Sequence, residues 1–96
     1  MTEKDLQKKE MKKLFEAFAK LKTAKECRDF MRDICTLSEL NAMAERLQVV
    51  KMVADKTPYR EISKKTGAST ATITRVAHWL HHGMGGYELV LKRLKT

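Results

Sequence analysis

Proline occurs once in the 96 residues, at Pro58, and glycine only four times, with Gly83, Gly85 and Gly86 gathered in one short stretch. A fold of many short strands needs turn residues far more often, so an all-β architecture is excluded. No apolar run exceeds three residues. That excludes a membrane-spanning helix or the apolar centre of a secretion signal, and a cytosolic location is expected. Cysteine occurs twice, as Cys27 and Cys35. Eight residues along one helix separate them by about 12 Å, too far for a disulfide. Both are expected to be reduced thiols in the core. The chain also lacks a nucleophile motif, a phosphate-cradling glycine loop and a cluster of metal-ligating residues, so neither an enzyme nor a cofactor is expected.

What is present is apolar and basic. Hydrophobic residues are 43% and charged residues 33%, enough apolar material for one small core and too little chain for two. The formal charge is +8. It is uneven: residues 1–25 carry +4, residues 26–56 carry −1 and residues 57–96 carry +5. A basic domain with asymmetric charge suits a polyanionic partner, although a plain solvated surface has the same composition.

The chain reads as consecutive helices in one domain, residues 1–96. Leu6, Met11, Leu14, Phe15, Phe18 and Leu21 place an apolar stripe on a first helix over about 3–20, whose other faces are mostly Lys and Glu. Thr23-Ala-Lys-Glu26 is a capping box that opens a second helix, with Cys27, Phe30, Met31 and Ile34 as its buried side. Thr36-Leu-Ser-Glu39 is another, opening a longer helix over about 37–55 with Leu40, Met43, Leu47, Val50 and Ala54 inward. Thr57 then caps a short helix over 58–66, with Pro58 at its first position. Gly67 ends it in a left-handed conformation. Ser69 or Thr70 caps a helix over about 70–82, Gly83–Gly86 breaks it as a hinge, and Tyr87, Val90, Leu91 and Leu94 mark a last amphipathic helix.

Residues 58–82 carry the functional signal. A short helix, a turn with glycine first and a second helix form the helix-turn-helix arrangement. Ile62, Ala68, Ile73 and Val76 fall where two steeply crossing helices must touch, and Ser63 is small where they approach. Thr66 departs from the pattern, since an apolar residue is usual there. The second helix begins Ser69-Thr70-Ala71-Thr72, followed by Thr74 and Arg75. Such short hydrogen-bonding or methyl-bearing groups fit deep in a major groove and meet base edges. Arg60 on the preceding helix is placed to reach a guanine, and Lys64 and Lys65 suit phosphate. No carboxylate occurs between Glu61 and Glu88. His78, His81 and His82 share helical spacing, but a closed zinc site takes four ligands. They are read as surface groups, with His78 within reach of DNA one turn beyond Arg75, and no metal is expected.

Ala71-Thr-Ile-Thr-Arg75 following Gly67-Ala68, together with Arg60-Glu-Ile62, resembles the DNA-reading region of the Trp repressor superfamily. Over residues 23–96 the pattern resembles its Trp-repressor-related YerC/YecD family. The resemblance implies an all-α, multi-helix fold with a helix-turn-helix, an intertwined homodimer, and double-stranded DNA bound by paired recognition helices. It also implies an effector pocket lined by Thr36, Arg46 and Arg75. The family pocket needs a glycine directly after the second arginine and a serine three residues further on. Here Val76 and Trp79 stand at those positions, so the pocket is expected to be occluded and L-tryptophan not to act as corepressor. The competing expectation is a helix-turn-helix that docks on a protein or a structured RNA.

Overall fold

The computed structural model describes residues 1–95. Among them all regular structure is helical: a 3-10 turn at Glu3–Gln7, then α1 (Lys9–Ala19), α2 (Ala24–Ile34), α3 (Leu37–Ala54), α4 (Tyr59–Thr66), α5 (Thr70–His82) and α6 (Gly86–Leu94). No described helix is long and apolar enough to cross a membrane. The chain divides into two units, one of Met1–Leu37 and one beginning at Ser38.

In the first unit, the expected single helix over 3–20 is interrupted. Lys8 is extended, with ψ 149. Its N–H donates to the Asp5 carbonyl at 3.1 Å, closing a 3-10 turn before α1 begins. Asp5 also pairs with the Lys8 ammonium at 2.9 Å. That ammonium first, and the Thr2 N–H second, hold the Asp5 carboxyl below the ordinary carboxylate range. At the start of α2 the Glu26 N–H donates to Thr23 Oγ1 at 3.1 Å, and Glu26 Oε1 accepts from the Lys22 N–H at 2.9 Å. Lys25 and then Arg28 lower the Asp29 carboxyl in the same way, through exposed pairs that add little stability.

Phe18 meets Phe30 edge-on, ring centres 5.3 Å apart, yet the apolar side expected to be buried is not. Phe30 and Met31 are only partly covered, Cys27 is exposed, and Ile34 is 51% exposed. The thiols are free, but Cys27 is on the surface and Cys35 is half-buried, so neither is a core thiol. The spacing that makes an apolar stripe is present, but the contact with Phe18 leaves Cys27 and Ile34 open.

The second unit holds the core: Val49 and Val50 from α3, Ile62 from α4, Ala68 from the turn, and Ile73, Val76, Ala77 and Leu80 from α5. Tyr87 and Leu91 of α6 pack against its margin. On α3 only Val49 and Val50 are fully buried; Leu40, Met43 and Leu47 are half-covered, and Ala54 is exposed.

The end of α3 explains how α4 begins. The Lys56 N–H donates to the Val53 carbonyl and the Thr57 N–H to the Met52 carbonyl, both at 3.0 Å. Lys56 itself is left-handed, with φ 62. These bonds form a Schellman closure with lysine where glycine is usual. Thr57 takes part in that closure, and the structure places the cap of α4 one residue later. Pro58 is the capping residue instead: its ψ is 141, and its carbonyl accepts from the Ile62 N–H at 3.0 Å. Because a side chain in the left-handed region is strained, Lys56→Gly is expected to stabilise the fold by about 0.5–1 kcal/mol. A higher urea midpoint at unchanged slope would register it.

Candidate nucleic-acid interface

The turn between α4 and α5 is tied by side chains as well as by glycine. Gly67 has φ 79, and its N–H donates to the Ser63 carbonyl at 2.9 Å. Thr66, the residue that departs from the apolar pattern, donates from its hydroxyl to the Ile62 carbonyl at 2.7 Å. The same oxygen accepts from the Ala68 N–H at 3.1 Å. An apolar side chain would leave that part-buried amide to find another partner. Ser63 Oγ donates to the Ala68 carbonyl at 2.8 Å. Both polar groups of Ala68 are thus met by hydroxyls of α4, which fixes where α5 starts.

Ser69 caps α5. Its Oγ accepts from the Thr72 N–H and donates to Thr72 Oγ1, both at 3.1 Å. The back of α5 (Ile73, Val76, Ala77 and Leu80) is buried. The front carries Thr70, Ala71, Thr74 and Arg75, all exposed. Thr72 sits between the two faces and is half-buried. Arg60, Lys64 and Lys65 are exposed on α4, with Lys65 paired to Glu61 at 3.0 Å. The first turn of α5 contains no acidic residue, so its amide end keeps its positive dipole unopposed. Ser69 and Thr72 share one hydrogen-bonded pair, which leaves the Thr72 proton as the donor that this pair can offer outward.

Behind this face lies a groove of about 500 Å³. Its walls include Glu45 and Arg46 of α3, Arg75, Val76 and Trp79 of α5, and Tyr87 of α6. Two of the three residues expected at an effector pocket, Arg46 and Arg75, are therefore brought together with Val76 and Trp79. Thr36 precedes α3 and belongs to the first unit. Trp79 is 48% exposed and forms one wall of the groove. Val76 is buried.

Glu45 and Tyr87 are further walls; Tyr87 was expected only on the apolar side of the last helix. Ser38, Asn41 and Glu45 step along α3 at three- and four-residue intervals, as Thr72, Val76 and Trp79 do along α5. Those two matching stripes were a signal available in the sequence. Gly83 keeps the chain beside this wall: a Cβ there would lie 2.3 Å from the Trp79 carbonyl oxygen. Among the described residues no three or more His, Cys, Asp or Glu side chains gather to hold a metal.

A profile of the Trp repressor protein family matches residues 9–95. YerC, an uncharacterized protein of Bacillus subtilis (strain 168), is 42% identical over 87 residues, 91% of this chain and 84% of that one. The crystal structure of a TrpR-like protein from Eubacterium eligens ATCC 27750 superposes with a TM-score of 0.91 at 40% identity, covering 97% of this chain and 96% of that one. A candidate Trp repressor from Staphylococcus aureus superposes with a TM-score of 0.90 at 37% identity, covering 99% of this chain and 95% of that one.

Proposed function

The chain belongs to the Trp repressor family, and on that premise we propose that it is a cytoplasmic, sequence-specific repressor that binds double-stranded DNA as a homodimer through α5. One observation carries the reading. α5 is anchored along its back by four buried residues while its N-terminal front shows only small threonine and alanine groups and one arginine. A helix so mounted can enter a major groove without a bulky or acidic side chain in the way. Arg60 and Lys64 flank it as base-edge and phosphate contacts, and Lys65, already shared with Glu61, adds a weaker one. Ser69 contributes as the cap that sets the helix end, and Thr70, Ala71, Thr72, Thr74 and Arg75 as the reading surface.

The dimer is supported by what one chain leaves uncovered. Phe15, Ile34 and Leu37 in the first unit, and Leu89, Val90 and Leu94 on α6, are apolar and about half exposed or more. A second copy covers such faces at once and presents two α5 helices to two half-sites about one helical turn apart. Selection of bound sequences from a random duplex pool tests the whole reading. A two-fold symmetric consensus is expected, and failure to enrich any sequence would overturn it.

Base reading is local, so Thr72→Ala is expected to relax preference at one base pair per half-site by about 1–3 kcal/mol, measured by competition among single-base operator variants. Arg75→Ala is expected to weaken binding to every duplex, since that side chain also walls the groove behind the helix.

The groove is not a tryptophan site in this reading. The family's small residues are replaced by Val76 and Trp79, both among its walls, so an indole has less room against the α5 backbone. Calorimetric titration with L-tryptophan is expected to give no saturable heat in the micromolar range. Micromolar binding that tightens DNA affinity would refute this point while leaving DNA binding intact.

A further inference from the structure

We propose that His78 and His82, one turn apart on the exposed side of α5, form a two-imidazole site for a divalent transition metal. Their ring centres are 5.1 Å apart, with the planes inclined by 40°. Two imidazoles bound through nitrogens at about 2.1 Å to one tetrahedral ion hold their ring centres about 5 Å apart. The ring separation thus matches that of a chelated pair, and side-chain rotation alone can turn one nitrogen of each ring to a common ion. Both residues are exposed, so an ion reaches them from solvent and closes its remaining positions with water. His81 is placed differently: its ring centre lies 6.5 Å from that of His82, and it is not a member of the pair.

The ligand chemistry selects the ion. Neutral imidazole suits Cu²⁺, Ni²⁺ and Zn²⁺, in the order set by their intrinsic affinities, and gives Mg²⁺ or Ca²⁺ nothing to bind. Two protein ligands make an exchangeable site, unlike the four-ligand sites that hold zinc as structure. Its place gives it a consequence. The chelate spans the last turn of α5, directly before Gly83, and adds positive charge to the exposed side of the helix assigned above to DNA. The metal site itself does not rest on that assignment.

The structure also supplies the probe. The only tryptophan, Trp79, stands edge-on to His78 with ring centres 5.6 Å apart. Ni²⁺ held by His78 should therefore quench its fluorescence. The experiment titrates NiCl₂ into the full chain, free of any polyhistidine tag and in the absence of DNA. It compares the native protein with His78→Gln, His82→Gln, His81→Gln and the His78→Gln/His82→Gln pair. All these side chains are exposed, and circular dichroism checks the fold of each variant.

Saturable quenching with a micromolar midpoint is expected, reversed by EDTA and displaced by Zn²⁺, which does not itself quench. His78→Gln and His82→Gln should each raise the midpoint about tenfold or more, because each removes half of the protein ligand set. His81→Gln should leave it unchanged, and Ni²⁺ should raise the melting temperature of the native chain but not of the double variant. Quenching that does not saturate below millimolar Ni²⁺, that persists in the double variant, or that falls equally in His81→Gln overturns the assignment.

Discussion

Ile73→Ala is expected to lower stability by about 2–5 kcal/mol, the range for deleting a fully buried aliphatic side chain whose cavity cannot collapse. Ile73 has no exposed surface and sits in a core of eight buried residues, together with Val49, Val50 and Ile62. A chain of this length has about 5–14 kcal/mol of stability in all. The loss is therefore a large fraction of the total, and the melting temperature should fall on the order of 10–30 °C. The effect reaches the candidate interface because Ile73 lies between Thr72 and Thr74, on the buried back of the same two turns. Calorimetric or chemical denaturation measures it. Ile34→Ala is the informative control. In the single chain Ile34 is 51% exposed, so a monomer would lose well under the Ile73 value on its truncation, whereas the proposed dimer, which covers it, should lose more. A cost that approaches it, with a melting temperature that rises with protein concentration, would locate Ile34 in a dimer contact.

DNA affinity is expected to fall about a thousandfold between 50 and 200 mM salt. If the cationic side chains Arg60, Lys64 and Arg75 of each copy displace about one counterion apiece on entering the duplex's field, at a base edge or a phosphate, a dimer displaces about six, and log K falls with log salt at a slope near −5. All three side chains are exposed. Lys65 is left out of this count because Glu61 already holds it at 3.0 Å. Lys64→Ala should reduce the slope by about two units for the dimer while leaving the order of preference among duplexes unchanged. Fluorescence anisotropy with a labelled operator at several salt concentrations gives both numbers. A flat salt dependence would remove the phosphate contacts and favour a helix-turn-helix docked on a protein surface.

The elements differ in how far the sequence revealed them. α5 was legible almost to its ends, because Ser69 or Thr70 is a cap, the Gly83–Gly86 stretch a stop, and Ile73 and Val76 fall at helical spacing; the structure makes Ser69 the cap. The contact set of the α4–α5 pair was legible too, since Ile62, Ala68, Ile73 and Val76 are all buried. The start of α4 was off by one position. Thr57 is a good cap by type, but the chain leaves the closure of α3 so that Pro58 takes the cap position, and only the course of the backbone reveals that. Thr66 looked like a blemish in the pattern. Its role rests on two hydrogen bonds, one to the residue four before and one from the residue two after, which a residue-by-residue pattern does not encode.

The sequence by itself determined that this chain is all-helical, which side of each helix is apolar, and that a slim threonine-bearing helix follows a tight glycine turn. Those follow from periodicity, capping chemistry and backbone freedom, all of which act over a few residues. Only the tertiary structure decided which apolar sides are covered, because burial needs a facing element and a stripe does not say whether one exists. It covers Ile73 and leaves Ile34 half exposed, although both are aliphatic positions on helical stripes. It likewise makes Trp79 one wall of a groove, and sets the rings of His78 and His82 at the separation of a chelated pair, because rotamers are chosen by neighbours that lie a turn or a helix away.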